Sequence, residues 1–255
     1  MQEGAQKELP LFDLDALEMY TMMLTGAYGA ADDVYRFGHN AVTSDGTTLY
    51  GLATLYDDDN TADDIIQKAI SQKGSYSSAT RRQAAEIVRR TLQSMVSLNT
   101  VVGKMQASIA ECNNGSADVA RKEWDNAVAF YVGSMEGVLA GGRADSHGEW
   151  MYALGNEFCR EFNSCKTSGE AAVNEQLIFQ FSSGRDSLVD GECNYLTSLV
   201  PDKIIPYLLI PLIQGTISYS IKIDNGSADR ESAATAHILA QAILAQGSLD
   251  AVSAN

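Results

Sequence analysis

TRRQAAEIVRRTLQSMVSLNTVVGKMQA, residues 80–107, is the longest periodic stretch of the chain. Ala84, Ile87, Val88, Leu92, Met95, Val96 and Leu98 recur at the three- and four-residue steps of a helix that buries one side. Arg81, Arg82, Arg89 and Arg90 are then expected on the solvated side. The same period runs outward in both directions. Residues 13–37 repeat Leu14, Leu17, Tyr20, Met23 and Leu24 behind a capping Asp13, and residues 116–139 open on Ser116 and Asp118 and close before Gly141-Gly142. Further helical segments are expected over 149–162, 170–183, 184–199, 201–221 and 228–244, separated by Pro, Gly and Asn-Gly signals. Strict alternation is scarce, and any strand would be short, as over 217–223. The expected fold class is all-α, a helical bundle forming one domain over residues 13–246, between a disordered tail at 1–12 and a flexible one at 247–255.

A faint internal match aligns Gly46-Thr-Thr-Leu-Tyr-Gly-Leu-Ala53 with Gly148-Glu-Trp-Met-Tyr-Ala-Leu-Gly155. A duplication would divide the domain into packed halves, 13–110 and 111–246. Two ordinary helix starts with the same apolar spacing would give the same match.

The chain has 255 residues, 45% of them apolar and 20% charged, the composition of a folded protein large enough to bury a core. Its 33 acids against 18 bases leave a net charge of −15. That charge repels the phosphates of nucleic acid and anionic membrane surfaces, so cations and basic partners remain. The longest apolar run, 204–213, contains Pro206 and Pro211 and stops at Gln214, which reads as a kinked core helix and not as a membrane span.

Cys112, Cys159, Cys165 and Cys193 form an even set with no CxxC pair of the zinc or thioredoxin kind. Three pairings are open. The short interval between Cys159 and Cys165 favours a local bridge across a turn, which leaves Cys112 with Cys193; reduced buried thiols are the alternative. Asn114-Gly115-Ser116 and Asn225-Gly226-Ser227 both match the N-glycosylation acceptor, although Asn-Gly is also a favoured turn pair. Together these features point to an oxidising compartment. Met1-Gln2-Glu3-Gly4 lacks the basic and apolar regions of a secretory signal, so the expectation is a leader already removed.

For chemistry, Asp125 and Glu136 stand eleven residues apart, three turns of the expected helix 116–139, which would put both carboxylates on one stripe with Ala129, Val132 and Gly133 between them. Asp145-Ser146-His147-Gly148-Glu149 adds two carboxylates and an imidazole. Oxygen donors with one imidazole suit hard or borderline metals such as iron. Each cluster taken alone is equally compatible with solvating surface. The acidic run at 57–64 lacks the glycine and terminal glutamate of a calcium loop and reads as a solvated loop leading into a helix N-terminus. No phosphate-binding glycine loop, nucleophile elbow or HExxH motif occurs, so no enzyme is expected.

The stretch Glu123-Trp-Asp-Asn-Ala-Val-Ala-Phe-Tyr-Val-Gly-Ser-Met-Glu-Gly137, followed by Gly141-Gly142, resembles the algal Fe-assimilating, low-iron-inducible periplasmic proteins. The likeness continues through Tyr152-Ala-Leu154, Ala172-Val-Asn174, Phe181-Ser-Ser-Gly184, Cys193 and Ile210-Pro-Leu-Ile-Gln214, so it covers roughly the second half of the chain. The resemblance implies a secreted, periplasmic or cell-surface protein of an alga or diatom, associated with iron uptake and without a catalytic cycle. Asp125, Tyr131 and Glu136 lie inside the matching segment, and His147 and Glu149 join them by local clustering. The expected cargo is iron, Fe3+ in preference to Fe2+, passed to a cell-surface receptor or transporter. The alternative is a surface or luminal interaction module whose acidic face recruits a partner.

Overall fold

A computed structural model describes residues 61–133 and 150–253. Among the described residues there are nine α-helices: α1 Thr61–Ile70, α2 Arg81–Arg90, α3 Ser97–Asn113, α4 Ala117–Val132, α5 Met151–Cys159, α6 Ala172–Asp190, α7 Cys193–Leu199, α8 Ile205–Asp224 and α9 Arg230–Ser253. They contain no strand, only one bridge between Cys165 and Ala171. The protein is an all-α bundle. Residues 217–223, where a strand was entertained, form the end of α8.

The stretch 80–107 begins with a reciprocal cap, in which Gln83 N–H donates to Thr80 Oγ1 at 3.2 Å and Thr80 N–H to Gln83 Oε1 at 2.9 Å. The helix does not then run straight. A wide π turn, Thr91–Val96, joins α2 to α3, and the hydroxyls of Thr91, Ser94 and Ser97 donate back to the carbonyls of Ile87, Arg90 and Leu92. Residues 93–98 are all buried, so this joint crosses the centre of the bundle, and no charge falls between Arg90 and Lys104.

Asn114-Gly115-Ser116 turns the chain into α4, which returns antiparallel along α3, with Ser108 Oγ donating to Ala120 O at 2.7 Å and Lys104 paired to Glu123 at 2.6 Å. Fully buried Trp124 donates its Nε1 to Phe181 O at 2.9 Å, and its ring lies where a side chain on Gly184 would stand: a Cβ there would come within 2.0 Å of it. Gly184 is therefore required for close packing of α4 on α6. The expected break between 183 and 184 does not occur. α6 continues to Asp190 and ends at Gly191, whose φ of +75° is the left-handed geometry that a glycine supplies.

The disulfides are Cys112–Cys193, with Cα atoms 5.6 Å apart, and Cys159–Cys165, with Cα atoms 4.8 Å apart. The first ties the end of α3 to the start of α7, and the second closes the turn after α5.

From Cys193 to Asp224 the chain is one 32-residue helix, because a second π turn, Val200–Ile204, carries it through Pro201. By length and composition it is apolar enough to cross a membrane, which corrects the shorter reading of 204–213. Gln214, Ser218 and Ser220 interrupt the apolar run without adding charge. Its inner side, Leu208, Leu212 and Gly215, packs on Phe158 and on Leu239 of α9.

The structure also differs from expectation at three boundaries. α4 ends at Val132 and not at 139, because Gly133 takes a φ of +73°. α9 runs to Ser253, past the expected domain end at 246. The proposed division between 110 and 111 falls inside α3. Residues 1–12, the segment 13–37 and the first copy of the repeat, 46–53, lie outside the described residues.

Candidate functional site

Of the five candidate metal ligands, the described residues hold two. Asp125 sits on the outer face of α4, its side chain 51% exposed, with Arg185 of α6 at 3.1 Å. Tyr131, six residues further on, is fully buried and donates its hydroxyl to Asn174 Oδ1 at 2.6 Å. The two therefore lie on different faces of one helix. Glu136, His147 and Glu149 lie outside the described residues, as do Asp145 and His39. The helix expected to carry both Asp125 and Glu136 ends at Val132, four residues before Glu136, which lies outside the described residues. Among the described residues no group of three or more His, Cys, Asp or Glu is arranged to hold a metal.

The structure does bring together the ends of the segment that carries the other three. A Cβ on Gly133 would stand 2.1 Å from Trp150 Cδ1, and the Trp150 ring meets Phe130 edge to face with centroids 5.8 Å apart. Gly133 and Trp150 thus bring the end of α4 and the start of α5 together at the two roots of the segment 134–149. Glycine is needed at 133 both for its φ and for the indole beside it.

Two buried polar clusters were not anticipated. The first centres on Arg90, which is only 1% exposed, so of the four arginines expected on the solvated side Arg81 and Arg82 are exposed, Arg89 is half-buried and Arg90 is not on that side. Its Nη2 and Nη1 reach Glu157 of α5 at 2.5 and 2.7 Å, its Nε reaches Glu86 at 2.8 Å, and its Nη1 also donates to Gln93 at 2.8 Å. Glu86 further accepts from Arg89 at 2.6 and 2.9 Å and from Thr235 of α9 at 2.7 Å. Tyr219 of α8 places its hydroxyl 3.4 Å from Glu157. Four helices therefore meet in one cluster, α5 and α8 at the guanidinium of Arg90 and α9 at the Glu86 carboxylate beside it. Burial alone would raise the Glu86 carboxyl, but the bond from Arg89 and the charges of Arg90 and Arg89 outweigh it and hold the group at about 2. Burial likewise opposes the charge on Arg90, and the bond and charge of Glu157 overcome it, so its pKa is raised. Burial also raises the Tyr219 phenol.

The second cluster is neutral at its centre. Asn174 of α6 accepts from Tyr131 and donates through Nδ2 to Tyr152 O at 2.9 Å and Asn156 Oδ1 at 3.0 Å. Asn156 in turn accepts from Ala171 N at 2.8 Å, and Tyr152 donates to Glu170 at 3.1 Å. Gly155 leaves room for the amide, since a Cβ there would lie 2.5 Å from Asn174 Oδ1.

Both clusters have their partners satisfied within the bundle, so their chemistry is that of fastening helices. Sequence carried a trace of each. Glu86, Arg89 and Arg90 have the three- and four-residue spacing of a helical ion-pair set, and Asn174 occupies an apolar-period position with Leu177, Phe181, Gly184 and Leu188. Compared with protein-family models, with curated proteins and with solved structures, the chain finds no match.

Proposed function

We propose that this is an extracytoplasmic, non-enzymatic iron-handling protein whose cargo ligands belong to the sequence segment 134–149, rooted at Gly133 and Trp150. The observation that carries the reading is the meeting of those two roots. Glu136 is three residues from one root, and His147 and Glu149 are three residues and one residue from the other. Carboxylates with one imidazole are a hard-to-borderline donor set suited to ferric iron. Asp125, about 12 Å down α4 from Gly133, is bound only by an exposed pair with Arg185, which is cheap to exchange. Tyr131 is assigned here to positioning α4 through Asn174 and not to the ligand set. The two disulfides suit an oxidising compartment, and the resemblance to Fe-assimilating periplasmic proteins supplies the choice of iron and of a secreted, periplasmic or cell-surface location.

The test is calorimetric titration of the metal-free protein with ferric nitrilotriacetate. The expected result is one site tighter than a scrambled acidic control. Binding weakens as pH falls through the carboxylate and imidazole range, because protons compete for the ligands. It also weakens at least tenfold in Glu136→Ala with His147→Ala. Binding no tighter than the control, or unchanged in that variant while its circular dichroism is native, sinks the proposal.

A second reading, an interaction module, is favoured by one feature of α8. Ile213, Ile217 and Ile221 step along its outer face at 41%, 43% and 54% exposure, within an uncharged stretch from residue 204 to 221.

A further inference from the structure

We propose that Asn114 and Asn225 are N-glycosylated, at opposite ends of the bundle. Three helix ends close on a glycine of positive φ whose following residue donates its N–H five residues back. α3 ends in Asn114-Gly115-Ser116 and α8 in Asn225-Gly226-Ser227, and the hydrogen bonds of the two turns correspond one to one. Asn114 N donates to Ala110 O and Asn225 N to Ile221 O, both at 3.0 Å. Gly115 N donates to Cys112 O and Gly226 N to Ile223 O, again both at 3.0 Å. Ser116 N reaches Glu111 O at 2.8 Å and Ser227 N reaches Lys222 O at 2.9 Å. The glycines have φ of +80° and +66°.

α6 closes with the same device, Gly191 at φ +75° and Glu192 N donating five residues back to Ser187 O at 2.8 Å, but its residues are Asp190-Gly191-Glu192. That third end is an internal control. The turn needs its glycine, and it forms with neither asparagine before it nor serine after it. The folding role that explains Asn-Gly in general therefore leaves the complete acceptor triplet at the other two ends unaccounted for.

The surroundings fit a bulky modification. Asn114 and Asn225 are both exposed, neither side-chain amide has a hydrogen-bond partner among the described residues, and no atom lies within 4 Å of a Cβ built on Gly115 or Gly226. The disulfide Cys112–Cys193 sets the start of the 32-residue helix beside the end of α3. Asn225 at its far end is therefore about 45 Å along the axis from the first turn. Two glycans so placed cover the ends of the bundle and leave its flank open.

The reaction is a transfer of a glycan from a lipid-diphosphate-linked oligosaccharide. The asparagine amide nitrogen forms a bond to C1 of the first sugar, the C1–oxygen bond to diphosphate breaks, one amide proton is lost, and the lipid diphosphate leaves. The inference rests on the oxidising compartment that the disulfides indicate, independently of any metal, so it and the iron reading fail separately.

The experiment is secretion of the full chain from a eukaryotic host, followed by peptide mass analysis before and after treatment with peptide N-glycanase, which leaves Asp where a glycosylated Asn stood. Two converted sites are expected. Asn114→Gln and Ser116→Ala should each remove the same single glycan, and Asn225→Gln and Ser227→Ala the other, with unchanged circular dichroism. Converting the third turn by Asp190→Asn with Glu192→Ser should add a third glycan. Secreted, folded protein with Asn114 or Asn225 unmodified overturns the assignment of that residue. Failure of the converted third turn to accept a glycan overturns the claim that this turn is a competent acceptor.

Discussion

The Arg90 cluster and the Asn174 cluster both fasten helices far apart in sequence, yet one does so with charge and the other with neutral amides and hydroxyls. Arg90 lies directly before the π turn at the centre of the bundle and joins α2, α5 and α8 through two carboxylates and a phenol, with α9 added through the Thr235 hydroxyl on Glu86. Asn174 joins α4, α5 and α6 without a formal charge of its own. A buried charge is tolerable only while its counter-charges remain, whereas a buried amide loses one or two hydrogen bonds at a time. The ionic cluster should therefore fail abruptly and respond to pH, and the neutral cluster should fail by degrees and not respond.

The largest effect is expected from Arg90→Met, which leaves Glu86 and Glu157 facing each other without a shared cation. A loss of about 3–5 kcal/mol in urea unfolding is expected. A loss below about 1 kcal/mol would mean that water reaches the two carboxylates, and the contrast between the clusters would collapse.

Acid should produce the next largest effect. Glu86 ionises at about 2 in the folded chain against an ordinary 4.5, so falling pH protonates the unfolded state first. Its contribution, of the order of 3 kcal/mol, is fully present above pH 4.5 and is lost as pH falls toward 2. Unfolding free energies measured between pH 6 and 2 should show that loss in wild type and a shallower slope in Glu86→Gln. Equal slopes in the two proteins would place the acid sensitivity elsewhere.

Asn174→Ala should cost least, about 1–3 kcal/mol, because it removes the acceptor of the Tyr131 hydroxyl bond and the donor to Tyr152 O and Asn156 Oδ1 in the core. Its stability offset from wild type should stay constant over the same acid range. An offset that shrinks in acid would show the two clusters to be coupled through α5, which supplies Glu157 to one and Tyr152 and Asn156 to the other.

Much of the bundle was legible in local pattern. The three- and four-residue recurrence of Ala84, Ile87, Val88 and Met95 marked a helix because that spacing is a property of the chain's own period, and Gly226 marks an end because positive φ is a local demand. The end at Gly191, by contrast, falls in the middle of the helix expected over 184–199. The short interval between Cys159 and Cys165 similarly favoured the bridge that forms, since six residues confine two side chains whatever the rest of the fold does. The candidate ligand positions were legible only as residue types. Their spacing argument assumed a helix running to 139, whereas α4 ends at Val132, before Gly133 at φ +73°.

What sequence by itself determined is therefore the class of fold, most helix positions, the acidic balance and the oxidising compartment, all of which depend on near neighbours or on totals. Tertiary structure alone decided that Arg90 is buried, because the carboxylate of Glu157, 67 residues away, must join that of nearby Glu86 to make the burial tolerable. It also decided that Gly184 continues a helix instead of ending one, because Trp124 from another helix needs the missing side chain. A glycine or an arginine has the same local preferences in either role, and the choice is made by the partner that packs against it.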